Sequence, residues 1–411
     1  MTADTILNVI LIILIADFLL ERTLDFFNSR HWSADLPQSL KGIYDEEEYR
    51  KSQQYKREKE RIGLISSLLS FVIVLGMILM GGFAWVDSFV RQFVSHPIPV
   101  ALGFFGLILF ASNLIGLPFS LYSTFVIEEK YGFNRTTIKT FVLDSIKAAL
   151  IGIVIGGGIL SLIIWIYLLT TVNFWWMAWA VVGVFMLLVN MFYSTLIVPM
   201  FNKQTPLEEG ELRNAIGVFS NKVGFQLDNV FVMDGSKRSS KGNAYFSGLG
   251  RKKRIVLFDT LINDLETEEI VAVLAHEIGH YKMKHTLSGL IIGLLQTGLM
   301  FFLLSLLIGN PELSIALGGA EASFHMGLIA FGILYSPFSM IIGLGMNMWS
   351  RYNEYQADDF AARNYNGEVL GDALKKLSVK SLSNLTPHPA YVFFYYSHPT
   401  LLQRLKAITR V

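Results

Sequence analysis

The chain has 411 residues, of which 52% are hydrophobic and only 16% charged. A soluble domain carries about 25% charged residues, so an ordinary water-soluble protein is excluded as a description of the whole chain. The absence of cysteine excludes disulfides and thiolate metal sites, and a net charge of +1 gives no sign of a nucleic-acid partner.

Seven stretches approach or exceed the roughly 20 apolar residues needed to cross a bilayer. They are Thr5–Leu20, Gly63–Val86, Val100–Ile127, Ala148–Val172, Phe174–Phe201, Thr286–Ile308 and Phe324–Ser350. The first is short and holds Asp17. Because Asp17 interrupts its apolar run and no small-residue cleavage site follows, it reads as a retained span and not as a signal peptide. The second to sixth contain no Asp, Glu, Lys or Arg.

Lys and Arg fall mainly on one side. The loop Glu21–Ile62 carries nine, and its run Asp45–Arg61 reads as a solvated helical face. Lys130, Arg135, Lys139 and Lys147 lie between spans three and four, and Lys203–His285 and Arg351–Val411 are also basic. The opposite side has Arg91 alone among its loops. By the positive-inside rule the N-terminus is outside or lumenal and the C-terminus cytoplasmic.

Two polar segments are long enough to fold outside lipid. In Asn202–His285, "NVFVMD" reads as a strand. "NAYFSG" and "RIVLFD" flank "LGRKK" as a hairpin, and a helix starts at Thr267. Arg351–Val411 reads as helical at its start, loop-like around Pro387 and Pro389, and helical again from Pro399. The expected division is a membrane region 1–201 with five spans, a catalytic segment 202–285, spans six and seven over 286–350, and the rest of the catalytic unit over 351–411.

The helix from Thr267 contains His276-Glu277-Ile278-Gly279-His280. Histidines four apart on a helix face the same way and can share one metal ion. Glu277, next to the first ligand, is placed to take a proton from water as general base. Gly279 leaves room close to the metal, and His285, five beyond His280, reads as structural and off the metal face. Catalytic zinc takes three protein ligands and keeps one open position. Glu354 and Asp358, four apart in "SRYNEYQADDFAARNY", offer the third ligand and a carboxylate to orient an imidazole. Spacing alone does not separate this from an amphipathic helix with surface acids; Asp359, on another face, reads as solvated.

These residues resemble the membrane-integral M48 zinc metalloproteases of the Ste24 type, the CAAX prenyl protease family. The similar stretches are "EEIVAVLAHEIGHYKMKH", "RYNEYQADDFA", "GNAYFSGLGRKKRIVLFDTL", "EEKYGFNRTT" and "YYSHPTLLQRLKAI". They run from span three to the C-terminus, and the seven spans agree as well.

The resemblance implies an α-helical integral membrane protein, seven helices around a water-filled chamber with an α+β gluzincin-like protease unit. It implies one Zn2+ per chain held by His276, His280 and Glu354, with Glu277 as general base and Asp358 behind the ligands. It implies that Asn243, followed by Ala244 and Tyr245, belongs to a substrate-binding edge strand. It places His398 and Arg404 near the metal, His398 to stabilise an oxyanion and Arg404 to orient a carboxylate. Asp17, Asn113, Asn190, His325 and Asn347 are candidates for the chamber lining or for bonds between helices.

The implied partners are the bilayer and a peptide substrate, in this family a CaaX C-terminus with a prenylated cysteine; nothing indicates nucleic acid, and a monomer fits. The implied location is a bacterial inner membrane or the endoplasmic reticulum. The alternatives are an HtpX-like quality-control protease without a prenyl requirement, a transporter, and an inactive scaffold. The histidine pair before a span, and not at mid-depth, speaks against a transporter, and the intact Glu277 speaks against a scaffold.

Overall fold

The computed structural model describes residues 1–31, 35–225, 230–247 and 254–410. The loop of the expected hairpin, 248–253, and the first residue of the expected strand, Asn229, lie outside them.

Among the described residues, seven helices are long and apolar enough to cross a membrane. The first is α1 (Ala3–Arg30), capped by Thr2, whose hydroxyl accepts from the Thr5 amide; Asp17 does not break it. The second, α2 (Glu46–Leu79), ends seven residues before the predicted Val86. Gly81 adopts φ +69 there, a left-handed turn that glycine takes without strain, and a separate α3 (Gly82–Arg91) follows. The third is α4 (Pro97–Tyr122) with its wide last turns to Glu128. The fourth joins α5 (Ile138–Ile151) to α6 (Gly157–Thr170), so Lys139 and Lys147 are helical and not in a loop. The rest are α7 (Phe174–Phe192, continuing to Met200), α11 (His285–Leu307) and α13 (Phe324–Ala361).

Four of the five polar side chains singled out in these spans find partners. Asp17 accepts from Ser336, joining α1 to α13. Asn347 donates to the Phe394 carbonyl, and Asn113 to its own helix at Leu109. His325 is 2% exposed and lies 2.6 Å from Asp87, so it is a buried partner and not a cavity lining. Asn190 lines a groove between α7, α11 and the chain at Phe246–Ser247.

The α+β unit contains a four-stranded sheet of β1 (Gln204–Pro206), β2 (Val230–Met233), β3 (Ala244–Ser247) and β4 (Arg254–Phe258) in the order β1-β2-β4-β3. The antiparallel β3–β4 pair agrees with the expected hairpin. The parallel β2–β4 pair and β1 were not anticipated. Helices α8 (Glu211–Lys222), α9 (Asp259–Asp264) and α10 (Thr267–Lys282) share a core with one face of the sheet, at Ile255 and Leu257.

The C-terminal segment differs from its sequence reading. It folds into α14 (Gly367–Lys380), α15 (Pro389–Tyr395) and α16 (Leu401–Ile408), and Pro389 opens a helix instead of lying in a loop, since proline suits a first helical position. Ile216, Phe219, Ile255, Leu257, Leu274 and Ile278 share one core with Ala361, Leu370 and Ile408. The two polar segments, separated in sequence by α11, the short α12 (Pro311–Ala316) and most of α13, therefore fold against each other. The Asp45–Arg61 run is only partly solvated: Tyr49, Ser52, Gln53 and Tyr55 are buried, and Leu40, Tyr44 and Tyr49 pack on Leu385 and Leu401.

Candidate active site

Helix α10 starts at a capping box. The Glu266 side chain accepts from the backbone of Glu269, and the Glu269 carboxylate accepts from the Glu266 amide. The cap is thus Glu266, one residue before the predicted start. The face carrying Ile270, Val271, Leu274, Ala275 and Ile278 is buried in the core, which turns His276 and His280 toward α13.

Gly279 has a different role from the one read in the sequence. A Cβ there would stand 3.2 Å from the Ala357 Cα and 3.2 Å from the Phe360 Cβ, so its missing side chain admits the backbone of α13, not the metal. Gly279→Ala is expected to destabilise the protein by about 1–3 kcal/mol through overpacking. It should also weaken metal binding, because α13 carries the third ligand. Thermal melting and zinc titration check this; unchanged zinc affinity would mean that α13 has another way to yield.

The donors converge tightly. His276 Nε2 and His280 Nε2 are 3.2 Å apart. Glu354 Oε2 is 3.5 Å from His276 Nε2, and Oε1 is 3.3 Å from His280 Nε2. Three donors at 2.0–2.1 Å from a tetrahedral zinc stand about 3.3 Å from one another, close to these separations. Glu354 is 4% exposed, and its Oε2 has only longer contacts, to His276 Nε2 at 3.5 Å and Arg404 Nη1 at 3.7 Å. A buried carboxylate oxygen without a short hydrogen bond is costly, and a cation between the three residues would satisfy it. The residues present fit a small divalent ion.

Behind the donors, Asp358 Oδ1 lies 2.9 Å from His276 Nδ1. Arg404 on α16 grips Asp358 with two bonds, 2.6 and 2.9 Å, and reaches within 3.7 Å of Glu354. Burial disfavours the charge on Arg404, but Asp358 and Glu354 outweigh it and raise its pKa. Burial likewise disfavours imidazolium at His276, yet the acceptors Asp358 and Glu354 push its pKa up to about 9.

In the metal-free protein His276 therefore holds a proton at pH 7 that a metal must displace. Zinc affinity is expected to rise about tenfold per pH unit up to about 9 and then level off, with release of a proton on binding. Calorimetry in buffers of different ionisation enthalpy reads this directly, and a flat profile below pH 9 would contradict it.

Of the remaining predicted residues, His398 is the one placed directly against these donors. His398 Nε2 is 3.3 Å from Glu354 Oε1, and the ring is largely exposed. Glu277 is half-buried on α10. Asp359 pairs with Arg363 and is not among the converging donors. Asn243 is exposed directly before β3, an edge strand that pairs with β4 alone among the described strands. Ala244 packs into the core of the unit and Tyr245 toward Val198 and Val256 on the other face; the Phe258 amide donates to the Asn243 carbonyl, so Ala244 turns its backbone to the open edge, where its amide donates to Asn243 Oδ1.

Residues that sequence reasoning passed over support this edge. Lys241 bonds Tyr55 and Glu128 at 3.0 and 3.3 Å. The backbone of Arg135 donates to the Arg238 carbonyl, so the Glu128–Thr137 segment braces the approach to β3. His285, read as structural, lies 3.0 Å from His280 (Nδ1 to Nδ1) and 3.1 Å from Gln356.

Seven membrane helices joined to a unit that gathers two histidines and a glutamate describe a multi-pass membrane protein with a metallopeptidase-like centre. The comparisons agree. Residues 27–203 match the family described as CAAX prenyl protease N-terminal, five membrane helices, and residues 206–411 match peptidase family M48.

The chain is 37% identical to CAAX prenyl protease 1 of Saccharomyces cerevisiae over 92% of this chain and 89% of that protein. It is 34% identical to the human CAAX prenyl protease 1 homolog over 91% and 88%. The crystal structure of S. mikatae Ste24p superposes with a TM-score of 0.93 at 36% identity, covering 98% of this chain and 99% of that one. The chain belongs to the M48 metallopeptidases of the CAAX prenyl protease type, and it is an integral membrane protease.

Proposed function

We propose that this protease uses zinc to release the last three residues of a C-terminal CaaX segment whose cysteine carries a prenyl chain. The observation that carries the metal assignment is the set of donor separations, 3.2, 3.3 and 3.5 Å. Calcium, with six to eight oxygen ligands at 2.3–2.6 Å, needs a larger and harder cage. The substrate assignment is supported by similarity along nearly the whole chain to relatives named CAAX prenyl protease 1.

Bound zinc supplies a Lewis acid that polarises the scissile carbonyl and acidifies water. The chain's own residues do the rest. Asp358 accepts from His276 Nδ1–H and so leaves the Nε2 lone pair facing the centre, while Arg404 fixes Asp358. Glu277 takes a proton from the attacking water and delivers it to the leaving amide nitrogen. His398, exposed beside Glu354, donates to the oxygen that gains charge. The open edge of β3 receives the peptide as an added strand, with Asn243 at its start.

A membrane setting suits a lipidated substrate. An interior space between the helices would let water reach the site without crossing lipid. The excess of Lys and Arg favours a cytoplasmic protease unit, at the endoplasmic reticulum in a eukaryote or the inner membrane of a bacterium.

The test is mass spectrometry of products from a farnesylated CaaX peptide and its unprenylated twin, with the purified protein in detergent. Release of the tripeptide from the prenylated peptide alone is expected. Equal cutting of both would replace the CaaX reading with that of a general membrane peptidase.

A further inference from the structure

Helix α10 ends at Lys282, and the chain turns at Lys284, whose φ of +60 is left-handed. Had the helix continued, residue 285 would stand about 140° around the axis from His280. The turn instead swings the His285 ring, itself buried, against His280, with centroids 5.1 Å apart and an interplanar angle of 73°. Three contacts then form a chain. His280 Nδ1 meets His285 Nδ1 at 3.0 Å, His285 Nε2 meets Gln356 Oε1 at 3.1 Å, and Gln356 Nε2 donates to the Tyr352 hydroxyl at 3.2 Å.

With His285 neutral, one arrangement of protons satisfies this chain. An amide oxygen can only accept, so His285 Nε2 carries a hydrogen. A neutral His285 then has a bare Nδ1, which accepts from His280 Nδ1–H. His280 Nε2 is left with a lone pair, directed at the metal position between it and Glu354, whose Oε1 is 3.3 Å away. We propose that His285 and Gln356 are positioning residues that set the tautomer and ring orientation of His280, as Asp358 does for His276. One helix, α13, thus supplies the third ligand, Glu354, and supports both imidazoles: His276 directly through Asp358, and His280 through Gln356 and His285. The two supports differ in kind, since one is an anion held by Arg404 and the other a neutral relay.

The proposal rests on the metal assignment above, and its test reads zinc binding apart from catalysis. Zinc affinity is measured by chelator competition for the wild type, His285→Leu and His285→Gln, with melting of each metal-free protein as the fold control. His285→Leu keeps bulk but offers no acceptor and is expected to lose about 10- to 100-fold in affinity. His285→Gln offers an amide oxygen to His280 Nδ1–H and is expected to stay within about threefold of wild type.

Equal loss in both variants would show that ring packing and not the acceptor matters, and would overturn the proposal; so would full affinity in His285→Leu. If His285→Leu does not fold, Gln356→Met against Gln356→Glu asks the same question one bond further out, with loss expected in the first and retention in the second. A wild type that binds no zinc at all would defeat the metal assignment and not the relay.

Discussion

Glu277→Gln is expected to abolish cleavage while leaving zinc in place. The substitution keeps the size of the side chain and removes its capacity to take a proton. Loss of a positioned general base costs about 10²–10⁴-fold in rate, and here the same group also serves the leaving amine, so the upper part of that range applies. Glu277 is not among the three residues that converge on the metal position, so zinc content should not change. The fall should appear in kcat with KM nearly constant, because Glu277 acts on the reacting water and not on the bound peptide. Single-turnover product analysis together with metal analysis of the same preparation checks both halves. Undiminished turnover in this variant would remove Glu277 from the mechanism.

The second large effect falls on the metal itself. In Glu354→Gln a buried carboxylate facing two imidazoles, 3.3 and 3.5 Å away, becomes a neutral amide. The site loses its only anionic donor, and Arg404, 3.7 Å distant, loses one of its counter-charges. Changes behind the ligands cost roughly 10- to 100-fold in metal affinity, and removal of a ligand must exceed that. The variant should lose zinc on dialysis and with it all activity. Asp359→Asn is the matched control: Asp359 lies five residues along the same helix, paired with Arg363, and its loss should leave both quantities unchanged. Retention of zinc by Glu354→Gln would mean that another residue supplies the third bond.

The parts of this site legible in the sequence obey one helical period. His276 with His280, and Glu354 with Asp358, are each four apart, so face-sharing followed from spacing. The seven spans were legible because apolar length alone defines them. What escaped lies where the chain departs from a period or where two distant segments meet. His285 does stay off the metal, as its spacing suggested, but the left-handed turn at Lys284 brings its ring against His280 Nδ1, a contact that counting along α10 does not show. Gly279 was assigned to the metal because the segment that fills its space, Ala357–Phe360, arrives from nearly 80 residues downstream. The break at Gly81 lies inside an unbroken apolar run, and hydropathy does not register it. The parallel pairing of β2 with β4 is a long-range contact with no local sign, and the same holds for Asp87 beneath His325. The roles of Arg404 and His398 came from the resemblance, since nothing in the spacing of "SHPTLLQRL" places them beside α13.

The central claim is that hydrolysis depends on one metal held by His276, His280 and Glu354. The most direct measurement strips the purified protein with a chelator and follows peptide cleavage as zinc is returned in measured amounts. Cleavage should vanish on stripping and recover in proportion to added zinc until one equivalent per chain, while Glu277→Gln binds the same equivalent and stays silent. Cleavage that persists in the stripped protein, or a Glu354→Gln variant that recovers with the same stoichiometry, would contradict the account.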